Sequence, residues 1–421
     1  MSDDENGFFL KNKNSNNFDS NNDNNSNNNN NNLQINNEIN TNNETFLNKK
    51  HSNDNKSSEL MMNHQHYYND VIRDAGETGR QASRIFFERT FNNWIKAILI
   101  NKYCNELGNS EEKNLSVLDL CCGRGGDLKK YFITNKVKLF VGSDLSEKLL
   151  QNAMERLKRI KEEKKNNWKL DTKCIFITED LSSPQNRLLE KIDKQFYFDL
   201  VSCQFALHYH FQSEERIRAF LKNVTSRLCE GGYFFGTIID DNVIIKKLRN
   251  PNYKGNIYKD KKYYFGNEFY RINFSTSHFN KKNGPYGIEY GFYLEDSIDK
   301  RDEKGNIESI GEYLIIFKEF IKLCEEFDLY LIENKNFTKF YQDNINIPVF
   351  KKMFKNMVKD LDCSTITEQW EIIHLYQIFV FRKGKNYIGK SEQIPKYVPY
   401  LSKIKYKFKD FEPVFIKTSF D

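Results

Sequence analysis

The run Leu115-Ser-Val-Leu-Asp-Leu-Cys-Cys122 reads as a buried strand that breaks at Gly123-Arg124-Gly125-Gly126 and continues from Asp127 as a helix. Strand, glycine loop and helix in that order open an α/β unit, and the pattern repeats downstream. Val137 to Asp144 is a second strand, followed by a charged helix from Ser146, its N-cap, to about Lys165. Lys173 to Thr178 is a third strand, ending at Glu179-Asp180. Phe198-Asp-Leu-Val-Ser-Cys-Gln-Phe-Ala-Leu207 has the near-continuous apolar character of a central parallel strand covered on both faces. A helix over Ser213–Leu228, terminated by Gly231-Gly232, and a strand from Tyr233 complete the series. This alternation predicts an open α/β fold: a doubly wound, mostly parallel sheet with crossover helices. An amphipathic helix from Arg84 to Ile100 precedes it. Beyond Asp240 the expected elements are aromatic-rich strands at 263–274 and 286–294, a long helix near 311–328, and strands at 329–332 and 372–382, an elaborated C-terminal half.

Composition sets the limits of the folded part. Residues 1–60 hold 23 asparagines and no sustained hydrophobic period, so they bury too little surface to offset chain entropy and are expected to be a disordered tail. Residues 61–383 are the expected catalytic domain and 384–421 a basic extension. No apolar run approaches the ~20 residues that span a bilayer, and the N-terminus lacks the order of a secretory signal, so a soluble intracellular protein is expected. The 8 cysteines never form C-x-x-C pairs, which argues against a zinc ribbon and a disulfide framework. Net charge is −4 over residues 1–60, +6 over 61–383 and +4 over 384–421. Positive charge on the folded part favours a polyanionic partner.

In an open α/β sheet, ligands bind at the carboxyl ends of the strands, where a glycine turn admits close backbone approach. A dinucleotide fold would need a third glycine at position 128, which is Leu, and no Gly-Lys-Ser/Thr closes a P-loop. Asp144, at the end of the second strand, suits the two hydroxyls of a ribose. Asp180, ending the third, could meet an adenine amino group, and Asp119 and Asp127 could attract a cationic amino-acid end. S-adenosylmethionine matches that description; a nicotinamide-type cofactor or a vestigial loop are the alternatives.

Several ordered blocks carry a family resemblance: Phe91-Asn-Asn-Trp-Ile-Lys96, Val117-Leu-Asp-Leu-Cys-Cys-Gly-Arg-Gly-Gly-Asp-Leu128, Cys203-Gln-Phe-Ala-Leu-His-Tyr209, Gly231-Gly-Tyr-Phe-Phe-Gly-Thr237 and Phe265-Gly-Asn-Glu-Phe-Tyr270. From about Tyr67 to Lys383 the chain resembles the eukaryotic mRNA cap guanine-N7 methyltransferases, which implies a class I S-adenosylmethionine-dependent fold and an activity on the 5′ cap guanosine of GpppRNA. The resemblance implies that Lys96, the backbone at Cys121, Asp144, Asp180, Gln204 and Tyr209 surround S-adenosylmethionine. It implies Asn92, Asn93, Arg124, Lys130, Arg156, His208, Glu312 and Tyr376 around the capped RNA end, no metal, and a nuclear location among other capping or transcription proteins. Two departures stand in the loop: the family usually has Gly at the position of Cys121 and Lys at that of Arg124. A positive φ at Cys121 would be strained.

The chemistry of these residues suits the implied task. Glu312 can accept guanine N1–H and the 2-amino group together, Arg124, Lys130 and Arg156 can offset triphosphate charge, and Tyr376 offers a stacking face. Guanine N7 carries a free lone pair, so proximity and orientation are expected to suffice without a general base. Taken singly, the same residues have plainer readings: His208 and His210 a loop pair, Glu312 the first-turn acid of a helix, Tyr376 a buried strand residue, and 158–165 a solvated helix face. The alternation Lys403-Ile-Lys-Tyr-Lys-Phe-Lys409 predicts a strand with lysines on one face, as a protected edge or a phosphate-contacting strip. A small-molecule methyltransferase and a non-catalytic cap-binding scaffold are the competing functions.

Overall fold

The computed structural model describes residues 83–108, 114–163, 171–250, 252, 257–259, 261–276, 279, 284–298, 304–305, 310–359, 365–389, 395–404 and 414–417. The asparagine-rich tail lies outside the described residues.

Helix α1 (Phe86–Leu107) is longer than its apolar period implied. It buries Phe87, Phe91, Trp94, Ile95 and Ile98 against an aromatic layer that includes Tyr341, Phe354 and Trp370. Strands β1 (Leu115–Leu120), β2 (Val137–Asp144), β3 (Lys173–Thr178), β4 (Phe198–Gln204) and β5 (Leu228–Ile239) follow as the periodicity requires. Between them run α2 (Leu128–Ile133), α3 (Glu147–Glu162), α4 (Leu188–Lys191) and α5 (Glu214–Thr225). Ser146 caps α3, its side chain accepting from Leu149 N at 3.2 Å. β1, β2, β3, β4 and β5 pair in parallel. Strands β11 (Leu329–Asn336) and β12 (Tyr376–Lys383) add antiparallel to β5, and β13 (Val414–Ile416) adds in parallel to β3. The resulting order, β11-β12-β5-β4-β1-β2-β3-β13, reverses between β1 and β4. That is the expected doubly wound, mostly parallel sheet, and its switch point lies where the glycine loop leaves β1.

A second, antiparallel sheet follows α6 (Asp241–Arg249), with the order β10-β9-β8-β7-β6. Its strands are β6 (Ile257–Lys259), β7 (Lys262–Gly266), β8 (Tyr270–Phe274), β9 (Glu289–Leu294) and β10 (Glu312–Tyr313). Four helices complete the described chain: α7 (Phe317–Glu326), α8 (Phe337–Asn344), α9 (Pro348–Val358) and α10 (Ile366–Ile373), with the short α11 (Tyr400–Ile404) beyond β12.

Several expectations change. Gly231-Gly232 does not end a helix: α5 stops at Thr225, and both glycines sit inside β5, where Gly231 at φ 77° lets the strand bulge out of register opposite Phe198–Leu200. The long helix near 311–328 is a two-residue strand followed by α7, because Glu312 and Tyr313 pair with β9. The aromatic-rich strand region at 263–274 holds two strands, β7 and β8. Ile372 and Ile373 end α10, so the last central strand starts at Tyr376. Lys403 and Ile404 belong to α11, and 405–409 lie outside the described residues. The strand that joins the sheet edge is instead Val414–Ile416.

Candidate active site

The loop after β1 turns by three left-handed residues, Cys121 at φ 55°, Gly123 at 53° and Gly125 at 65°. A side chain at Gly125 would collide with Leu128 at 2.5 Å, whereas space at Gly123 is open. Cys121 is the exception to the glycine rule, and αL geometry costs an L-residue roughly 1–2 kcal/mol. Its thiol lies 3.5 Å from His210 Nε2, and the Cys203 thiol and burial both push its pKa up.

Beside this loop is a cavity walled by Cys121, Gly123, Asp144, Asp180, Gln204, Phe205, Tyr209, His210 and Arg216, among others. Five of the six residues expected around the cofactor are therefore together. Asp144 Oδ2 accepts from Gly123 N at 2.8 Å and its Oδ1 from Ser146 N at 3.0 Å, which fixes the carboxylate and leaves lone pairs to spare. Asp180 Oδ1 accepts from Ser182 N at 3.1 Å, with the Arg216 guanidinium 3.4 Å away. Gln204 accepts from Thr237 Oγ1 at 3.1 Å through its carbonyl, while its buried Nε2 has no hydrogen-bond partner among the described residues.

Lys96, the sixth, is set back from the cavity. Its ammonium pairs with Asp127 at 2.9 Å and stands 5.9 Å from the centroid of the Phe205 ring. Asp127 also holds Lys130 at 2.7 Å; burial opposes its ionisation, but Lys130 and Lys96 together hold its carboxyl below the usual range. Asp127 is thus already neutralised as a site for a cationic ligand. Asp119, hydrogen-bonded by Ser202 at 2.6 Å, is pushed up to about 7 by burial and by Asp127.

Asn93 accepts from Lys130 Nζ at 2.9 Å, and Asn92 donates to the buried Glu88. Arg156 on α3 is near enough to Lys130 to lower its pKa further, after burial and Lys96. Arg124 is half-buried in the glycine loop. A second group gathers near Phe205. The ring of Tyr376 meets that of Phe205 edge-on, 5.1 Å between centroids at 85°, and lies 5.7 Å from that of Phe337. His208 Nε2 stands 3.8 Å from Glu312 Oε1. Glu312, placed by the β9 pairing opposite Tyr290, is only 1% exposed. Burial pushes its carboxyl up to about 8, against the pull of the Tyr290 hydroxyl. The segment Gln204–Tyr209 touches both groups: Gln204, Phe205 and Tyr209 line the cavity, while His208, whose ring is 4.1 Å from that of Tyr209, stands 3.8 Å from Glu312.

Sequence reasoning missed Glu88, Phe205, Arg216 and Tyr290. Glu88 was within reach, four residues before Asn92 on one helix face; the others meet the site only through tertiary contacts.

A model of the mRNA (guanine-N(7))-methyltransferase domain matches residues 48–384. This chain belongs to that family. It is 36% identical over 312 residues to mRNA cap guanine-N(7) methyltransferase 1 of Oryza sativa subsp. japonica, covering 72% of this chain and 76% of the relative. The Arabidopsis thaliana mRNA cap guanine-N(7) methyltransferase 1 is 34% identical over 313 residues, with the same coverage. The Caenorhabditis elegans mRNA cap guanine-N(7) methyltransferase is 31% identical over 365 residues, covering 78% and 88%. A methyltransferase of this family uses S-adenosylmethionine, and the orphaned Gln204 amide and the fixed Asp144 carboxylate give the cavity the donor and acceptor that a nucleoside requires.

Proposed function

We propose that the two groups that meet at Phe205 are the two halves of one methyl-transfer site, the cavity for S-adenosylmethionine and the Tyr376–Glu312 group for the cap guanine. The chain is an mRNA cap guanine-N7 methyltransferase, and its nucleic-acid substrate is capped RNA. The observation that supports the pairing is the segment Gln204–Tyr209: Phe205 and Tyr209 line the cavity, while the Tyr376 ring packs edge-on against Phe205 and His208 Nε2 stands 3.8 Å from Glu312.

In this reading Asp144 accepts the ribose hydroxyls, Asp180 meets the adenine amino group, Gln204 donates through its unpartnered Nε2, and the Cys121 backbone and Tyr209 close the cavity. When bound, S-adenosylmethionine supplies an electrophilic sulfonium methyl. In the other half Glu312 accepts from guanine N1–H and the 2-amino group, His208 meets the remaining polar edge, and Tyr376 provides an aromatic face. Lys130, Arg124 and Arg156, with Asn92 and Asn93, take the triphosphate. Lys96 acts from behind by holding Asp127 and backing Phe205, a positioning role rather than a contact. Guanine N7 needs no deprotonation, so the side chains orient and desolvate, and effective molarity carries the rate.

Residues 61–383 form the catalytic unit in this reading, residues 1–60 and 384–421 offer surfaces to other capping or transcription proteins, and the nucleus is the compartment. The test is purified protein with labelled S-adenosylmethionine and GpppRNA, with GTP and unrelated nucleosides as comparators. Label recovered as 7-methylguanosine in the cap of GpppRNA supports the reading; label only on a small molecule, or none, rejects it.

A further inference from the structure

Glu88 is a buried carboxyl that the proposed site does not use. It stands on α1, only 1% exposed, and its Oε1 accepts from the side-chain amide of Asn92 one turn further on. Its place is fixed from α10: the Glu88 N–H donates to Gln369 Oε1 at 2.9 Å, and Gln369 Nε2 donates in turn to the Arg84 carbonyl at 2.9 Å. Taking a carboxylate out of water is costly, and one hydrogen bond between neighbouring turns of a helix offsets little of that cost. The buried acid calls for a further reason.

The reason lies in the Asn92 amide. An ionised carboxylate accepts and cannot donate, so Glu88 draws Nδ2 toward itself and leaves Oδ1 as the end turned elsewhere. Asn92 Oδ1 is itself buried and has no hydrogen-bond partner among the described residues, and a buried acceptor in that state needs a donor. Glu88, Asn92 and Lys96 form one stripe of α1 at four-residue steps. Both ends of the stripe reach the group proposed for guanine. Lys96 Nζ stands 5.9 Å from the centroid of the Phe205 ring, and Glu88, with Glu312, adds to the effect of burial in raising the pKa of the Tyr376 hydroxyl. Asn92 lies between them on the stripe. Of the donors on a capped end, guanine N1–H and the 2-amino group go to Glu312 in the proposed site and the phosphates carry none, which leaves the hydroxyls of the cap ribose. The second Nδ2 hydrogen can still serve the triphosphate. We infer that Glu88 is a positioning residue whose carboxylate holds the Asn92 amide with Oδ1 turned to the ribose hydroxyls of the cap nucleoside. The inference rests on the proposed cap site and adds to it a residue that does not itself touch the substrate.

The test measures GpppG affinity in the full chain, in Glu88→Gln, in Asn92→Ala and in the double variant, with cofactor affinity and melting temperature alongside. Gln keeps the shape of the side chain but donates as well as accepts, so it no longer fixes the amide. At about pH 8, where the Glu88 carboxyl is ionised, Glu88→Gln should weaken GpppG binding about three- to tenfold. Cofactor affinity should be unchanged and the melting temperature no lower. In the Asn92→Ala background the same substitution should change nothing further, and an analogue lacking both cap ribose hydroxyls should bind wild type and Glu88→Gln alike. Burial raises the Glu88 carboxyl to about 7 against the pull of Asn92, Arg89 and Lys96. From other elements it meets Tyr376 of β12, whose hydroxyl also feels Glu312, and Gln369 of α10, which does not titrate. The gap between wild type and Glu88→Gln should therefore close as pH falls below about 7, where the protonated acid donates as the amide does. Unchanged GpppG affinity in Glu88→Gln, or equal losses with and without the Asn92 side chain, overturns the positioning role. Loss of cofactor affinity and melting temperature in step with GpppG binding assigns Glu88 to the fold and also overturns it. An analogue without ribose hydroxyls that is as sensitive to Glu88→Gln as GpppG overturns the ribose contact. A wild-type chain that binds GpppG and ignores Glu88→Gln leaves the cap reading standing; one that does not bind GpppG refutes both.

Discussion

Glu312 lies at 1% exposure, and burial pushes its pKa up to about 8. A folded pKa above the unfolded value means that stability is fully present below about 4.5 and is lost as pH rises through about 8. In the proposed site guanine binding needs the ionised acceptor and should reverse that preference. Cap-analogue affinity is therefore expected to rise with pH toward 8, with proton release measurable by calorimetry in buffers of different ionisation enthalpy. Glu312→Gln should bind about tenfold or more weakly and lose that proton release, although Glu88 and Asp119, both held near 7 by burial, titrate in the same range. Cys121 offers a second residue-scale test. At φ 55° a glycine fits and an alanine does not, so Cys121→Gly should be more stable than Cys121→Ala by about 1 kcal/mol in thermal unfolding. Legibility differed between these residues. Asp144 and Asp180 were readable because they end strands beside the glycine loop. Glu312 was reached only through the family resemblance, since two residues of β10 carry no periodicity and only their pairing with β9 places the carboxyl.

At the scale of elements, the parallel strands and their crossover helices were legible because each carries its own apolar period and punctuation, Ser146 among them. The second sheet was partly legible: its strands were expected, but where they break depends on turns and non-local pairing. The C-terminal extension was misread for the same reason. Tyr397 and Tyr400 fasten it to Asp199 at the start of β4, the Tyr397 hydroxyl and the Tyr400 N–H both donating to Oδ1, and β13 then pairs with β3. Burial pushes the Asp199 carboxyl up while Ser116 and Tyr397 oppose it. Tyr397→Phe removes one donor from that buried group and should cost about 1–3 kcal/mol in denaturant unfolding. A loss near zero would mean that the extension merely lies on the sheet.

For the whole molecule, the fold matters because the cavity and the Tyr376–Glu312 group, the two halves of the proposed site, both meet the segment Gln204–Tyr209 that follows β4. Direct transfer between those halves would require placement and no proton acceptor. Of the side chains there, His208, 3.8 Å from Glu312, is the histidine placed beside the proposed guanine site. The decisive measurement is the single-turnover rate of methyl transfer to GpppRNA as a function of pH, with both substrates saturating, in the wild-type chain and in His208→Gln. A rate independent of pH in both proteins, with the variant altered in cap affinity, is the expected result. A steep single-ionisation profile in the wild type that disappears in His208→Gln would contradict it.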